Sequence, residues 1–244
     1  MIFHKRRFRR GNARRPVPLL DSPVPSISLA ALIILCVGSL TLANGVDTDG
    51  FLRDFEQKRG EINTYTARFV QKKILTLFEE TKISNGALYY RAPQQMTWKY
   101  SGPDKTQMRI NRDSVSFYFP ELEQIEVYPL DEGGGASSFF FAFEASADEL
   151  KENFDISIGA AGEDLHRVDL SPKSDPLAQQ LRGITLWLGK TDYMPRKILI
   201  RDISGDTTEI QLSEIRVNEP IADDEIEFDA PEGTEIIQMR SGTF

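Results

Sequence analysis

The residue types that most often carry chemistry are scarce in this chain. Among 244 residues there are two histidines, His4 and His166, and one cysteine, Cys36. A zinc site draws three or four ligands from His, Cys and carboxylates. A Ser-His-Asp triad needs a histidine with its own orienting acid. Either would rest on His166 almost alone. That residue lies in the alternating run His166-Arg167-Val168-Asp169-Leu170, where a lone histidine reads as structural. Acids are plentiful, yet no pair is set apart by its surroundings. Gly133-Gly134-Gly135 lacks the spacing and the Lys-Ser/Thr of a phosphate loop and reads as a hinge. There is no nucleophile elbow and no dinucleotide fingerprint. The expectation is a protein with no catalytic residues, no metal site and no cofactor.

What remains is apolar chemistry. Gly86 to Tyr100 reads GALYYRAPQQMTWKY. It predicts a strand over 87–91, a turn at 92–94 and a strand over 95–100. Pro93 has no amide hydrogen for a ladder and belongs in the turn. Side chains alternate along a strand, so Met96, Trp98 and Tyr100 form one greasy wall while Thr97 and Lys99 face the other way. Such a wall either fills a core or lines a cavity for an apolar ligand. Alternation does not separate the two. The candidate lining residues are Phe69, Leu88, Met96, Trp98, Phe117 and Phe119. A second apolar group is Phe139-Phe140-Phe141-Ala142-Phe143, which fits a short helix over 137–144. Phe139 and Phe143 fall together and Phe141 points nearly opposite, more than one helical face buries. That helix is buried on two sides or covers a cavity, so Phe139, Phe140 and Phe143 join the candidates.

The elements that must position these residues are mostly strands. Phe51, Leu52 and Phe55 predict an amphipathic helix over 47–62, ended by Gly60. Strands follow from Thr64, with Ser84-Asn85-Gly86 a turn or bulge. Ile125 and Val127 are expected on the inner face. Ser146 with Glu149 forms a capping-box pattern before a helical turn. Ile210 and Leu212 share one parity and Ile215 and Val217 the other, so a bulge is expected near Ser213-Glu214. The count is ten or eleven strands at hairpin spacing. The fold class is mainly β, a single strongly curved antiparallel sheet or open barrel with a few short helices.

Charge divides the chain. Residues 1–43 carry seven basic side chains and one acid, a net of +6, against −14 for the rest. An acidic body argues against nucleic acid or an anionic membrane as a partner bound by charge. It suits exchange with basic partner surfaces. Ile27 to Ala43 is an uncharged run of 17 residues behind a basic segment, with small residues at Thr41 and Ala43. It reads as an export signal cleaved after Ala43. An uncleaved inner-membrane anchor is the alternative. Leu35 before Cys36 does not fit a lipid-attachment signal. The domains are then 1–43, basic segment and signal, and 44–244, one β domain.

The run Gly86 to Tyr100 resembles the signature of the LolA-type outer-membrane lipoprotein carriers. There a G-x-L strand leads into a basic residue and Pro, with a large apolar residue three on and Trp five on. Met96 and Trp98 keep that spacing from Pro93. Phe69-Val70-Gln71, the Pro103 turn, Phe117-Tyr118-Phe119-Pro120 with Gln124, and Phe228-x-x-Pro231-x-Gly233 extend the resemblance from Phe51 to Ile237. It implies an unclosed β-barrel with short helices as a lid. It also implies a periplasmic chaperone that shields the acyl chains of lipoproteins. Its partners would be an inner-membrane ABC transporter of the lipoprotein-releasing type and an outer-membrane acceptor. In the family an Arg just before the Pro holds the lid. Here Ala92 stands in that place and Arg91 one residue earlier, which makes Arg91 the candidate latch, displaced by one. The chain is expected to act as a monomer. The alternatives are an outer-membrane acceptor or a lipid- or lipoprotein-sensing module of the same fold, and a hydrolase acting through acids.

Overall fold

The computed structural model describes residues 47–102, 105–130, 146–179, 181–228 and 230–239. The expected signal at 27–43, the Pro103 turn, the Gly133 hinge and the Phe139 to Phe143 helix lie outside them. Helix α1 (Thr48–Gly60) precedes strands β1 (Thr64–Leu75), β2 (Glu80–Arg91), β3 (Gln95–Ser101), β4 (Gln107–Ile110), β5 (Ser114–Phe119) and β6 (Gln124–Pro129). Helix α2 (Ala147–Asn153) leads into β7 (Phe154–Ala160), β8 (Leu165–Pro172), β9 (Leu181–Gly189), β10 (Pro195–Asp202) and β11 (Thr207–Val217). One helical turn, α3 (Asp223–Ile226), and strand β12 (Glu235–Gln238) follow. No helix among the described residues is long and apolar enough to cross a membrane.

The strands form one sheet in the order β12-β6-β5-β4-β3-β2-β1-β11-β10-β9-β8-β7. β12 and β7 end it and do not pair, so the sheet is unclosed. Eleven strands follow one another antiparallel. β12 departs from the antiparallel expectation, because it runs parallel to β6, with Ile236 beside Ile125. The bulge in β11 is where the parity change placed it: pairing shifts from Thr66–Arg216 to Arg68–Ser213, and Glu214 takes a positive φ of 50°.

Two expectations change, and one expected placement gains a cover. Ser84-Asn85-Gly86 does not turn. β2 runs through it, and the reversal from β1 falls at a 3-10 turn, Thr76–Phe78, followed by Glu79 at φ 51°. Gly86 instead clears a space: a Cβ there would stand 2.8 Å from the Phe69 ring and 2.1 Å from the Lys99 carbonyl oxygen. Thr97 faces away from Trp98 as alternation placed it. It is fully buried beneath a strap, residues 221–228, that crosses the outer side of β2–β5. Its hydroxyl donates to the Ile226 carbonyl at 2.5 Å, and the Tyr118 ring meets Phe228 at 5.9 Å. The second change is in β6. Phe117 pairs with Glu126 and Phe119 with Gln124, so Ile125 and Val127 face outward and Gln124, Glu126 and Tyr128 face inward.

α1 closes the β7–β10 half of the inner face. Phe51, Leu52 and Phe55 are buried against Val168, Leu170, Leu186 and Leu188, leaving a cavity of about 10 Å³. Each such side chain stabilises the fold by roughly 1.5–3 kcal/mol. Lys151 of α2 forms an ion pair with Asp49 of α1. The capping box holds α2: Ser146 Oγ accepts from the Glu149 amide at 3.1 Å, and Glu149 accepts from the Ser146 amide at 2.8 Å.

Candidate functional site

The register brings the expected lining residues onto one face. Phe69 lies across Gly86, Leu88 across Trp98, Tyr90 across Met96 and Met108 across Phe117. Phe69, Leu88, Met96 and Trp98 are buried. The Phe69 ring meets Trp98 at 4.9 Å and Tyr100 at 5.1 Å, both edge-on. The Trp98 indole N–H points at the Met96 sulfur, 3.2 Å away. The Tyr100 hydroxyl donates to Gln71 at 3.1 Å, and burial raises its pKa above the ordinary phenol value. This centre is packed core. Phe117 and Phe119 differ. They are half-buried and stack at 6.4 Å, and Phe117 meets the Tyr128 ring edge-on at 5.8 Å.

The apolar face therefore has a filled centre and an accessible margin along β5 and β6. A second hollow, about 60 Å³, lies on the outer side at the bulge, among Arg68, Glu214 and Arg216. Among the described residues neither approaches the 300–1,000 Å³ of a preformed ligand pocket. On the margin a polar row stands among the aromatics. Glu126 accepts from Gln124 Nε2 at 2.9 Å and from the Tyr128 hydroxyl at 2.7 Å. The bond to Glu126 raises the Tyr128 pKa, because it stabilises the protonated phenol. Alternation alone assigned this strand to the wrong face. The four-residue turn Pro120 to Glu123 carried the missing signal, since it pairs Phe119 with Gln124 directly.

Arg91 lies on the outer face. Its guanidinium donates to the Ile221 carbonyl at 2.9 Å and pairs with Asp223 at 3.0 Å, both in the strap. The segment it was expected to hold, with Phe139, Phe140 and Phe143, is outside the described residues. His166 packs edge-on against Phe51 at 5.0 Å and stacks on Tyr193 at 5.6 Å. Burial, then Lys190, lowers its pKa. Among the described residues no three His, Cys, Asp or Glu side chains gather to hold a metal.

Known proteins match this chain over most of its length. The family model described as outer membrane lipoprotein carrier protein LolA matches residues 60–229. An outer-membrane lipoprotein carrier protein of Cupriavidus taiwanensis is 24% identical over 211 residues, 86% of this chain and 95% of that one. One from Chromohalobacter salexigens is 27% identical over 178 residues, 72% of this chain and 81% of its own. The solved structure of a LolA superfamily protein from Nitrosomonas europaea covers 73% of this chain and 98% of its own, with 8% identity and a TM-score of 0.40.

Proposed function

Since the chain belongs to the LolA family of outer membrane lipoprotein carrier proteins, we propose that it binds the acyl chains of lipoproteins on the inner face of its sheet and carries them from the inner to the outer membrane. The observation that carries this reading is the half-buried aromatic margin, Phe117 and Phe119, continuous with the buried wall of Met96 and Trp98. Burial of acyl chain on such a surface contributes about 0.8 kcal/mol per CH₂. Two entry modes compete. Lifting α1 would expose Phe51, Leu52 and Phe55, at roughly 1.5–3 kcal/mol each. Laying the chain along β5 and β6 opens no core, so we place the acyl chain there.

Binding by burial makes and breaks no bond, and the protein is proposed to have no catalytic activity. Cargo would arrive from an inner-membrane ABC transporter and leave to an outer-membrane acceptor that offers a better apolar site. The compartment is the periplasm, with residues 1–43 as the export signal. The connection from Leu130, at the end of β6 beside one sheet edge, to Ser146, before α2 and β7 at the other edge, supports a covering role for Phe139, Phe140 and Phe143. Arg91 is proposed to hold the strap on the outer face.

The test is release of a labelled lipoprotein from spheroplasts. With the purified protein from Asn44 added, label is expected in the soluble fraction bound to it. Phe117→Asp with Phe119→Asp should reduce that label at least tenfold while the protein stays folded. No release by the folded, unsubstituted protein would sink the carrier reading.

A further inference from the structure

Strand β6 interrupts the apolar character of the inner face in an ordered way. Opposite Val115, Phe117 and Phe119 stand Tyr128, Glu126 and Gln124. The Glu126 carboxylate is held from both sides, by Gln124 at 2.9 Å and Tyr128 at 2.7 Å. The Tyr128 ring is in turn fixed edge-on against Phe117. A carboxylate offers about four lone-pair sites, and these two bonds use two. Among the described residues no Lys or Arg forms an ion pair with Glu126. On its other side β12 brings Ile237, not a cation. A negative charge with spare acceptor sites is thus fixed beside the aromatic margin, where the polar end of an amphiphile on Phe117 and Phe119 would lie.

That placement sorts acyl ligands by their heads. An acylated peptide presents amide N–H groups, which a carboxylate accepts strongly. An anionic phospholipid presents phosphate oxygens, which cannot donate and carry the same sign of charge. Phospholipids are also the ligands a carrier meets in excess at any membrane. Rejecting them takes a repulsive element as well as an attractive one. We infer that Glu126, positioned by Gln124 and Tyr128, is a specificity-determining residue that favours acylated peptides over anionic phospholipids. The inference rests on the acyl-binding reading above.

Displacement of a fluorescent acyl amide, whose head is uncharged, from the purified protein tests it. Two competitors carry the same chain: an N-dodecanoyl dipeptide amide and a dodecanoyl lysophosphatidylglycerol. The expected preference for the peptide is about tenfold, within what one like-charge contact near a surface gives. Glu126→Gln keeps the size and an acceptor oxygen but removes the charge. It should bring the two affinities within about twofold, chiefly by tightening the lysophospholipid. Glu123→Gln, on the exposed turn before β6, makes the same change in net charge and should leave the preference intact. An equal affinity of the unsubstituted protein for both competitors overturns the inference, as does an unchanged ratio in Glu126→Gln. Failure of the fluorescent acyl amide to bind the folded protein is a separate outcome: it overturns the acyl-binding reading and the inference together.

Discussion

Trp98 and Phe117 sit on the same face two strands apart, and substitution should separate their roles. Trp98 is 7% exposed and wedged against Phe69. Trp98→Ala should cost about 3–5 kcal/mol of stability, the range for emptying a packed aromatic site. Phe117 is half-buried at the margin. Phe117→Ala should cost under about 2 kcal/mol while weakening fatty-acid binding at least tenfold. Chemical denaturation and fluorescent fatty-acid binding on the same two variants check this. The opposite pattern would move the binding surface to the centre. Gly86 gives a second residue-scale prediction. Its missing side chain is occupied by the Phe69 ring and the Lys99 carbonyl oxygen. Gly86→Ala should destabilise by about 1–3 kcal/mol, the usual overpacking cost. Adding Phe69→Leu should not rescue it, because the Lys99 carbonyl is backbone and stays. Full rescue would assign the whole clash to the ring.

At the scale of elements, α1 and the strap cover opposite sides of the sheet. α1 is seated through the cluster of Phe51, His166 and Tyr193. Burial lowers the His166 pKa, so the folded state resists the proton that the unfolded chain accepts near 6.5. The stability this contributes is present above pH 6.5 and is lost as pH falls toward the lower folded value. Melting temperature should therefore drop between pH 7 and 5, and His166→Phe should flatten that drop. An unchanged slope would show that other groups set it. The strap depends on Thr97, Lys99 and Arg91, which donate to the Ile226, Asp224 and Ile221 carbonyls. Thr97→Val keeps the shape and orphans the Ile226 carbonyl, at about 1–3 kcal/mol. Hydrogen exchange across 221–228 should quicken in that variant. Alternation marked Thr97 correctly as opposite Trp98. It could not show that this opposite side is covered, because the cover comes from residues more than 120 positions later.

The same limit explains what was legible in the whole molecule. Hairpin spacing, the α1 stripe, the α2 capping box and the β11 bulge are local signals, and each was readable from neighbouring residues. The inner face of β6 was not, because Ile125 and Val127 are apolar for another reason. They lie on the strap side, where Tyr118 packs on Phe228. The parallel partner of β12 lies over 100 residues away and leaves no local trace. That pairing has a consequence for the molecule as a unit. An unclosed sheet exposes two edges, and an uncovered edge offers unpaired N–H and C=O groups to another chain. β12 takes up the β6 edge: the Glu235 amide donates to Glu123 at 2.9 Å and the Met239 amide to Val127 at 2.8 Å. It adds little core, since Ile236 is 62% exposed. Ending the chain after Phe228 should therefore leave the melting temperature within a few degrees while uncovering the β6 edge. Size-exclusion chromatography with light scattering should then show concentration-dependent association, absent from the intact protein. Association without loss of melting temperature assigns β12 to edge protection. A truncated protein that stays monomeric would assign that protection to the strap, whose Phe228 remains in place over β5.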